Sequence, residues 1–149
     1  AAAPTSWSRS GVAGELLLDT GALVSLLDRS QSRHHEFVRY FSDWTAPVVS
    51  SDAVLTEATH VLGRISNGRR ACLDFFLSGG AVLIPASTSS LRRCRELIEI
   101  YADLPMDYAD ASLVALAEEL GTNLVFTTDV RDFTVYRPGP RRRFRIVPG

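Results

Sequence analysis

The stretch Glu15-Leu-Leu-Leu-Asp-Thr-Gly-Ala-Leu-Val-Ser-Leu-Leu-Asp28 decides the fold. Leu16–Leu18 form a short continuous apolar run, which is typical of a strand that is buried on both faces. After Asp19, apolar residues recur with the spacing of a helix. Asp19 therefore lies at the carboxyl end of a buried strand, where open α/β sheets bind their ligands. A carboxylate in that position is costly unless it is paired, hydrogen-bonded or bound to a cation.

The rest of the chain alternates between helical and strand patterns. Further helices are predicted at 34–44, 52–65, 69–77, 87–102 and 107–120, and further strands at 46–50, 81–84, 124–126 and 144–147. Strands separated by one or two helices require a mostly parallel sheet that is covered on both faces. We therefore predict a single three-layer α/β domain over residues 15–149. Residues 1–14 are interpreted as a flexible leader or a remnant of expression cloning.

Composition excludes several classes of protein. No apolar run approaches the length that crosses a bilayer, so no membrane contact is expected. Cys72 and Cys94 have no metal-ligand spacing and are interpreted as reduced thiols of a cytoplasmic protein. Lysine is absent, and all 16 basic residues are arginine. This excludes a P-loop and Schiff-base catalysis, and it argues against a receiver or phosphatase-like domain with Asp19 as phosphoacceptor.

Four carboxylates can converge at one edge of the predicted sheet. Asp19 and Asp129 follow strands, and the carboxyl ends of parallel strands share an edge. Glu57 lies among small and apolar residues of a helix, and Asp110 lies in the first turn of another, where side chains point back toward the helix start. Without a cation these groups would repel one another and raise each other's pKa values. Ligands that are all oxygen suit Mg²⁺ or Mn²⁺ rather than zinc.

Each acid also has a structural interpretation. Glu57 could be a surface residue of its helix. Asp107 and Asp110 have capping-box spacing, and we interpret Asp107 as a cap while leaving Asp110 open. Asp129 and Asp132 could form a turn before Phe133, and we favour this interpretation for Asp132.

The acidic segments, in their order along the chain, resemble the PIN-domain nucleases, and most of all the VapC-type toxins of bacterial toxin–antitoxin pairs. The resemblance rests on Leu-Leu-Leu-Asp19-Thr20-Gly-Ala-Leu-Val, on Glu57, on Ala-Asp110-Ala-Ser-Leu-Val-Ala, and on Thr127-Thr-Asp129-Val-Arg-Asp132-Phe. It implies strand order 3-2-1-4-5 and endonucleolytic cleavage of RNA with Mg²⁺ or Mn²⁺. It also implies a homodimer that is neutralised by a cognate antitoxin, and an RNA substrate that could be tRNA, rRNA or mRNA.

The resemblance assigns roles to individual residues. Asp19, Glu57, Asp110 and Asp129 match the acidic quartet that binds the metal and carries catalysis. Thr127 matches a hydroxyl position of the family that is often near the metal. Thr20, Asp107 and Asp132 are further residues expected to support these ligands, although Asp107 and Asp132 match no firm position of the family. A non-catalytic RNA-binding or regulatory PIN domain is the alternative function.

The carboxyl-terminal segment is rich in arginine. Its basic residues, Arg141, Arg142, Arg143 and Arg145, alternate in part with apolar ones. They could protect an edge strand from pairing with another chain. Alternatively, they could form a strip beside the acidic site that contacts RNA phosphates.

Overall fold

The computed structural model describes residues 14–149, which form five strands and seven helices. The strands are β1 (Leu16–Leu18), β2 (Val48–Ser51), β3 (Val82–Ile84), β4 (Leu124–Phe126) and β5 (Arg145–Val147). The helices are α1 (Thr20–Leu27), α2 (His34–Asp43), α3 (Asp52–Leu62), α4 (Gly68–Leu77), α5 (Thr88–Ile100), α6 (Tyr108–Leu120) and α7 (Val130–Val135). The predicted leader, apart from Gly14, lies outside the described residues.

The strands form one sheet in the order β3-β2-β1-β4-β5, and every neighbouring pair is parallel. The predicted order is confirmed, and the sheet is wholly parallel rather than mostly so. β1 lies at the centre, where Leu17 pairs with Val49 on one side and Val125 on the other. Because all five strands run the same way, the segments after β1, β2 and β4 meet at one edge of the sheet.

Helices cover both faces of this sheet. Leu16 and Leu18 point into the core beneath α1–α4, whereas Leu17 points into the core beneath α5–α7. All three leucines are fully buried, as expected for a central strand with helices on both sides. The strand is therefore anchored in two cores, and the residue that follows it has a well-defined position.

Two local features depart from the sequence prediction or were not visible to it. The sequence favours a turn after β4, but this segment forms the short helix α7. The helix predicted to end near residue 65 ends at Leu62, and a tight turn leads to Gly68 at the start of α4. A Cβ atom at position 68 would collide with the Leu62 carbonyl oxygen, so this turn requires glycine.

Cys72 and Cys94 are both buried and free, in agreement with the prediction of reduced thiols. In the described part of the chain, no helix has the length and apolar character needed to cross a membrane.

Candidate metal and active site

The four predicted carboxylates come from four different elements and lie at the carboxyl edge of the sheet. Asp19 links β1 to α1, and Asp129 precedes α7 just after β4. Glu57 lies on α3, and Asp110 lies in the first turn of α6. Oxygen atoms of Asp110, Asp129 and Asp132 lie within 4.8 Å of one another. Asp19 is close enough to Asp110 and Asp129 for their charges to affect one another.

Thr127 ties two of these acidic segments together. Its hydroxyl donates a hydrogen bond of 2.6 Å to Asp19 Oδ2 and accepts one of 2.9 Å from the backbone N–H of Asp129. Thr127 is fully buried and Asp19 is only 6% exposed. The hydroxyl therefore holds the Asp19 carboxylate in one orientation and fixes the backbone at Asp129.

Glu57 is held in a similar way. The Thr20 hydroxyl donates a hydrogen bond of 2.7 Å to Glu57 Oε1. Burial raises the pKa of Glu57, the Thr20 hydrogen bond opposes this, and the neighbouring Asp107 carboxylate raises it further. Glu57 is thus partly buried beside another acid, which argues against an ordinary surface residue.

Burial and mutual repulsion perturb the two central carboxylates most. Burial raises the pKa of Asp19 to about 6, and the charges of Asp129 and Glu57 act in the same direction, against the hydrogen bond from Thr127. Burial also raises the pKa of Asp110 to about 7, with further contributions from Asp107, Asp19 and Asp129. Both groups would ionise more readily beside a positive charge.

Tyr136 is a residue of this site that the sequence analysis missed. Its side chain is fully buried, and its hydroxyl donates a hydrogen bond of 2.9 Å to Asp110 Oδ2. This contact lowers the pKa of Asp110 in opposition to burial and stabilises the charged carboxylate. The aromatic ring packs edge-on against Tyr101 and Phe133, which leaves the hydroxyl little freedom to move away.

Asp107 and Asp132 lie next to the quartet. Asp107 caps α6 by accepting a hydrogen bond of 2.8 Å from the backbone N–H of Asp110, so the predicted cap is confirmed. The preferred interpretation of Asp132 as a turn former is wrong. Asp132 lies in the first turn of α7, where its backbone N–H bonds to Asp129 and its carboxylate approaches those of Asp110 and Asp129.

The donor set fits a hard divalent cation. Carboxylate oxygens converge, and histidine and cysteine are absent from the Asp110–Asp129–Asp132 cluster. Within residues 14–149, none of the ion pairs neutralises any of these acids. Oxygen ligands with this charge suit Mg²⁺ or Mn²⁺.

The carboxyl-terminal arginines do not lie beside this site. Arg145 begins β5 and pairs with the first residue of β4. Arg142 donates a hydrogen bond of 3.2 Å to the carbonyl of Gly121, just before β4. The strip therefore lies at the amino end of the strands, at the opposite edge from the acids. Its predicted placement beside the acidic site is wrong, and a role in RNA binding stays a prediction.

Comparisons with known proteins agree with this architecture. The family model described as "PIN domain" matches residues 16–137. No curated protein sequence matches the chain.

Three similar solved structures are toxins or toxin–antitoxin complexes. VapC20 of Mycobacterium tuberculosis, described as a toxin that cleaves the sarcin–ricin loop, is 18% identical with a TM-score of 0.73, over 78% of this chain and 92% of its own. VapBC2 of Rickettsia felis, bound to a DNA fragment from its promoter, is 16% identical with a TM-score of 0.60. The match covers 88% of this chain and 97% of the VapBC2 chain. A chain of a toxin–antitoxin complex of Klebsiella pneumoniae is 20% identical with a TM-score of 0.63. The match covers 83% of this chain and 94% of the other. At such identities the likeness shows a shared fold.

Proposed function

The chain belongs to the PIN-domain family, and from this premise we propose that it is a divalent-metal-dependent endoribonuclease. In this proposal it hydrolyses phosphodiester bonds of RNA and acts as the toxin of a type II toxin–antitoxin pair. The observation that carries the proposal is the convergence of buried and partly buried carboxylates with which no cationic side chain of residues 14–149 forms an ion pair. Such a cluster is stable in charged form only with a bound cation.

Asp19, Asp110 and Asp129 are the residues that would hold the ion, with Glu57 beside them. A bound Mg²⁺ or Mn²⁺ supplies charge stabilisation at the phosphate and lowers the pKa of bound water. Thr127 keeps Asp19 oriented and Tyr136 keeps Asp110 oriented through the hydrogen bonds described above. Fixed ligand orientation of this kind is what positions a reacting phosphate correctly.

Glu57 is the residue best suited to orient the attacking water. Its Oε1 is fixed by the Thr20 hydroxyl, and a carboxylate held in this orientation has further lone pairs that can accept a proton or a hydrogen bond. The raised pKa of Glu57, caused first by burial, makes it a better proton acceptor than a solvated glutamate.

Cleavage of total cellular RNA by the purified protein in Mn²⁺ tests the proposal. We expect discrete fragments that are lost with EDTA and with Asp110→Asn. Asp103→Asn serves as the matched control, because Asp103 is an exposed acid outside the cluster. Full activity in Asp110→Asn would refute the assignment of the site. Binding of RNA without cleavage in Mn²⁺ would instead support the non-catalytic alternative.

The toxin assignment has its own test. It is supported by the fold shared with proteins described as toxins and toxin–antitoxin complexes. Induced expression in a bacterial host is expected to arrest growth, and Asp110→Asn is expected to relieve the arrest. Co-expression with the cognate antitoxin should also relieve it. Growth that is unaffected by expression of the wild-type protein would contradict the toxin role. The proposed homodimer is tested separately, by light scattering of the purified protein.

A further inference from the structure

A cavity of about 400 Å³ opens directly beside the acidic cluster. Thr20 and Gly21, which follow Asp19, line one wall, and Thr128, which precedes Asp129, lines another. The remaining wall comes from the loop between α1 and α2 and from the end of α3. Anything bound in this cavity would therefore be adjacent to the proposed reaction centre.

The ionisable side chains that line this cavity are arginines, whereas those of the acidic cluster are carboxylates. Arg33 and Arg64 contribute guanidinium groups, and none of the lining residues is acidic. A second cavity of about 400 Å³, beside α6, is lined by Asp52, Glu57 and Asp107 instead. A polyanion that approaches the acidic cluster thus meets guanidinium donors on the α1 side and carboxylates on the α6 side.

The position of the Arg64 side chain is fixed by a contact with the buried carboxylate of Asp28. Its Nη2 donates a hydrogen bond of 3.1 Å to Asp28 Oδ2, and the Asp28 side chain is 4% exposed. Asp28 is itself fixed by the backbone N–H and hydroxyl of Ser30 and by the Gln31 amide. The Arg64 side chain is 54% exposed, and in the described part of the chain its Nε and Nη1 have no hydrogen-bond partner. Most of its five N–H donors therefore remain available to a ligand.

Hydroxyl groups complete the lining. Ser32 and Thr128 are both exposed, and within residues 14–149 neither hydroxyl makes a hydrogen bond. Arg33, by contrast, forms a paired contact of 2.7 and 2.9 Å with Glu36 and lies over the ring of Phe37. The charge of Arg33 is thus paired with Glu36 at the rim of the cavity, whereas Arg64 supplies free donors.

We propose that this cavity is a phosphate-binding subsite for the RNA backbone, in which Arg64 contacts a phosphate next to the scissile one. The Ser32 and Thr128 hydroxyls add hydrogen bonds to the same phosphate. The proposal rests on the proposed ribonuclease function, which it deepens by naming where the strand is held. A guanidinium with several free donors and nearby hydroxyls is the usual recognition chemistry for a phosphodiester.

The subsite offsets the repulsion between RNA phosphates and the carboxylates of the acidic site. RNA carries a negative charge at every phosphate, so a cluster of carboxylates repels the strand before a metal ion joins the two. A phosphate contact a short distance away offsets that repulsion and sets the register of the strand relative to the reacting bond. Such contacts position the substrate and carry no base specificity.

The test is the salt dependence of RNA binding. A labelled single-stranded RNA is titrated with protein over a range of salt concentrations, in EDTA and in an Asp110→Asn background, so that no RNA is cleaved. Arg64→Gln is expected to weaken binding about five- to tenfold at low salt and to reduce the slope of log affinity against log salt by about 0.7, the value for one phosphate contact on a single strand. Arg70→Gln is the matched control, because Arg70 is 81% exposed on α4 and lines no part of the cavity.

A second variant keeps the contact between Arg64 and Asp28 intact. Ser32→Asp places a negative charge in the cavity and is expected to weaken RNA binding as much as Arg64→Gln does. Ser89→Asp, at an exposed position on α5, is its control. Thermal unfolding of each variant verifies that the fold is retained.

The outcomes separate this proposal from the function on which it rests. The subsite would be overturned if Arg64→Gln and Arg70→Gln lost RNA affinity equally, or if neither Arg64→Gln nor Ser32→Asp lost affinity. In that case, RNA cleavage by the wild-type protein would still support the nuclease. If only the cavity variants lost RNA affinity and the wild-type protein cleaved no RNA in Mn²⁺, the subsite would be supported and the nuclease refuted. A wild-type protein that binds no RNA would overturn both.

Discussion

Replacing Asp19 with asparagine is expected to stabilise the metal-free protein at alkaline pH, although the residue belongs to the proposed active site. Burial raises the pKa of Asp19 in the folded protein from 3.8 to about 6. The folded state therefore prefers the protonated carboxyl. Its contribution to folding stability is complete below the unfolded-state pKa and is lost as the pH rises through about 6.

The size of the effect follows from the pKa shift. A shift of about two units, at about 1.4 kcal/mol per unit, corresponds to about 3 kcal/mol of stability lost by the wild-type protein at about pH 8. Asparagine carries no charge and can still accept the Thr127 hydroxyl bond, so the variant avoids this loss. For a domain of this size the difference corresponds to about 6–12 °C in melting temperature.

The assay is thermal unfolding of both proteins in EDTA at about pH 4 and about pH 8. We expect the two proteins to have similar melting temperatures at the lower pH. At the higher pH, we expect Asp19→Asn to melt at a higher temperature than the wild-type protein. Groups that do not interact with Asp19 cancel in this comparison, and loss of its charge lowers the pKa of the neighbouring Asp110, which also favours the variant at the higher pH. Millimolar Mg²⁺ or Mn²⁺ at the higher pH is expected to raise the wild-type melting temperature and reduce or reverse the difference, because binding to the folded state alone stabilises it.

Asp103→Asn is the matched control, since its exposed carboxyl lies outside the cluster and its removal should leave the pH dependence of stability unchanged. A melting-temperature difference that does not move in favour of Asp19→Asn between the lower and the higher pH without metal would refute the reasoning. It would mean that ionisation of Asp19 does not destabilise the metal-free fold, and the electrostatic argument for a cation at this edge would fail.

Three further predictions follow from single contacts. Tyr136→Phe removes the hydrogen bond to Asp110 and is expected to weaken Mn²⁺ binding about tenfold, as measured by electron paramagnetic resonance; unchanged affinity would contradict its role. Gly68→Ala is expected to cost more than about 2 kcal/mol in chemical denaturation, because its Cβ collides with the Leu62 carbonyl, and an unchanged midpoint would contradict this. Ser87→Ala removes the capping box of α5 and is expected to cost about 1 kcal/mol in the same assay, whereas no loss would show that the cap contributes nothing.

The sheet and its strand order could be anticipated because they depend on patterns that are local in sequence. The run Leu16–Leu18 is apolar without alternation, and only a strand covered on both faces accommodates such a run. Helices between strands then require parallel pairing, which brings the segments after β1 and β4 to one edge. The approach of Asp19 and Asp129 follows from this geometry.

What the sequence analysis missed depends on contacts between distant residues or on very short elements. α7 has six residues, too few for a helical period to be distinguished from a turn. The hydrogen bond from Tyr136 to Asp110 depends on how deeply α7 packs against α6, which no spacing in the sequence encodes. The same packing brings Asp132 to the cluster.

The misplaced arginine strip has a different cause. Residues that precede a parallel strand must lie at the amino edge of the sheet, so Arg141–Arg143 lie opposite the acids once β5 pairs with β4. The charge of this segment does not determine its position, whereas the direction of the strand that follows it does.

The four carboxylates of the quartet are spread over more than two thirds of the chain, from the end of β1 to the start of α7. Asp19 and Asp129 can meet only after β4 has paired with β1, and pairings between such distant segments close late in folding. During synthesis, a ribosome-bound chain therefore has no assembled acidic site until the segment through Asp132 has left the exit tunnel. A fragment of the chain that ends before β4 therefore keeps Asp19 and Glu57 but cannot assemble the acidic site.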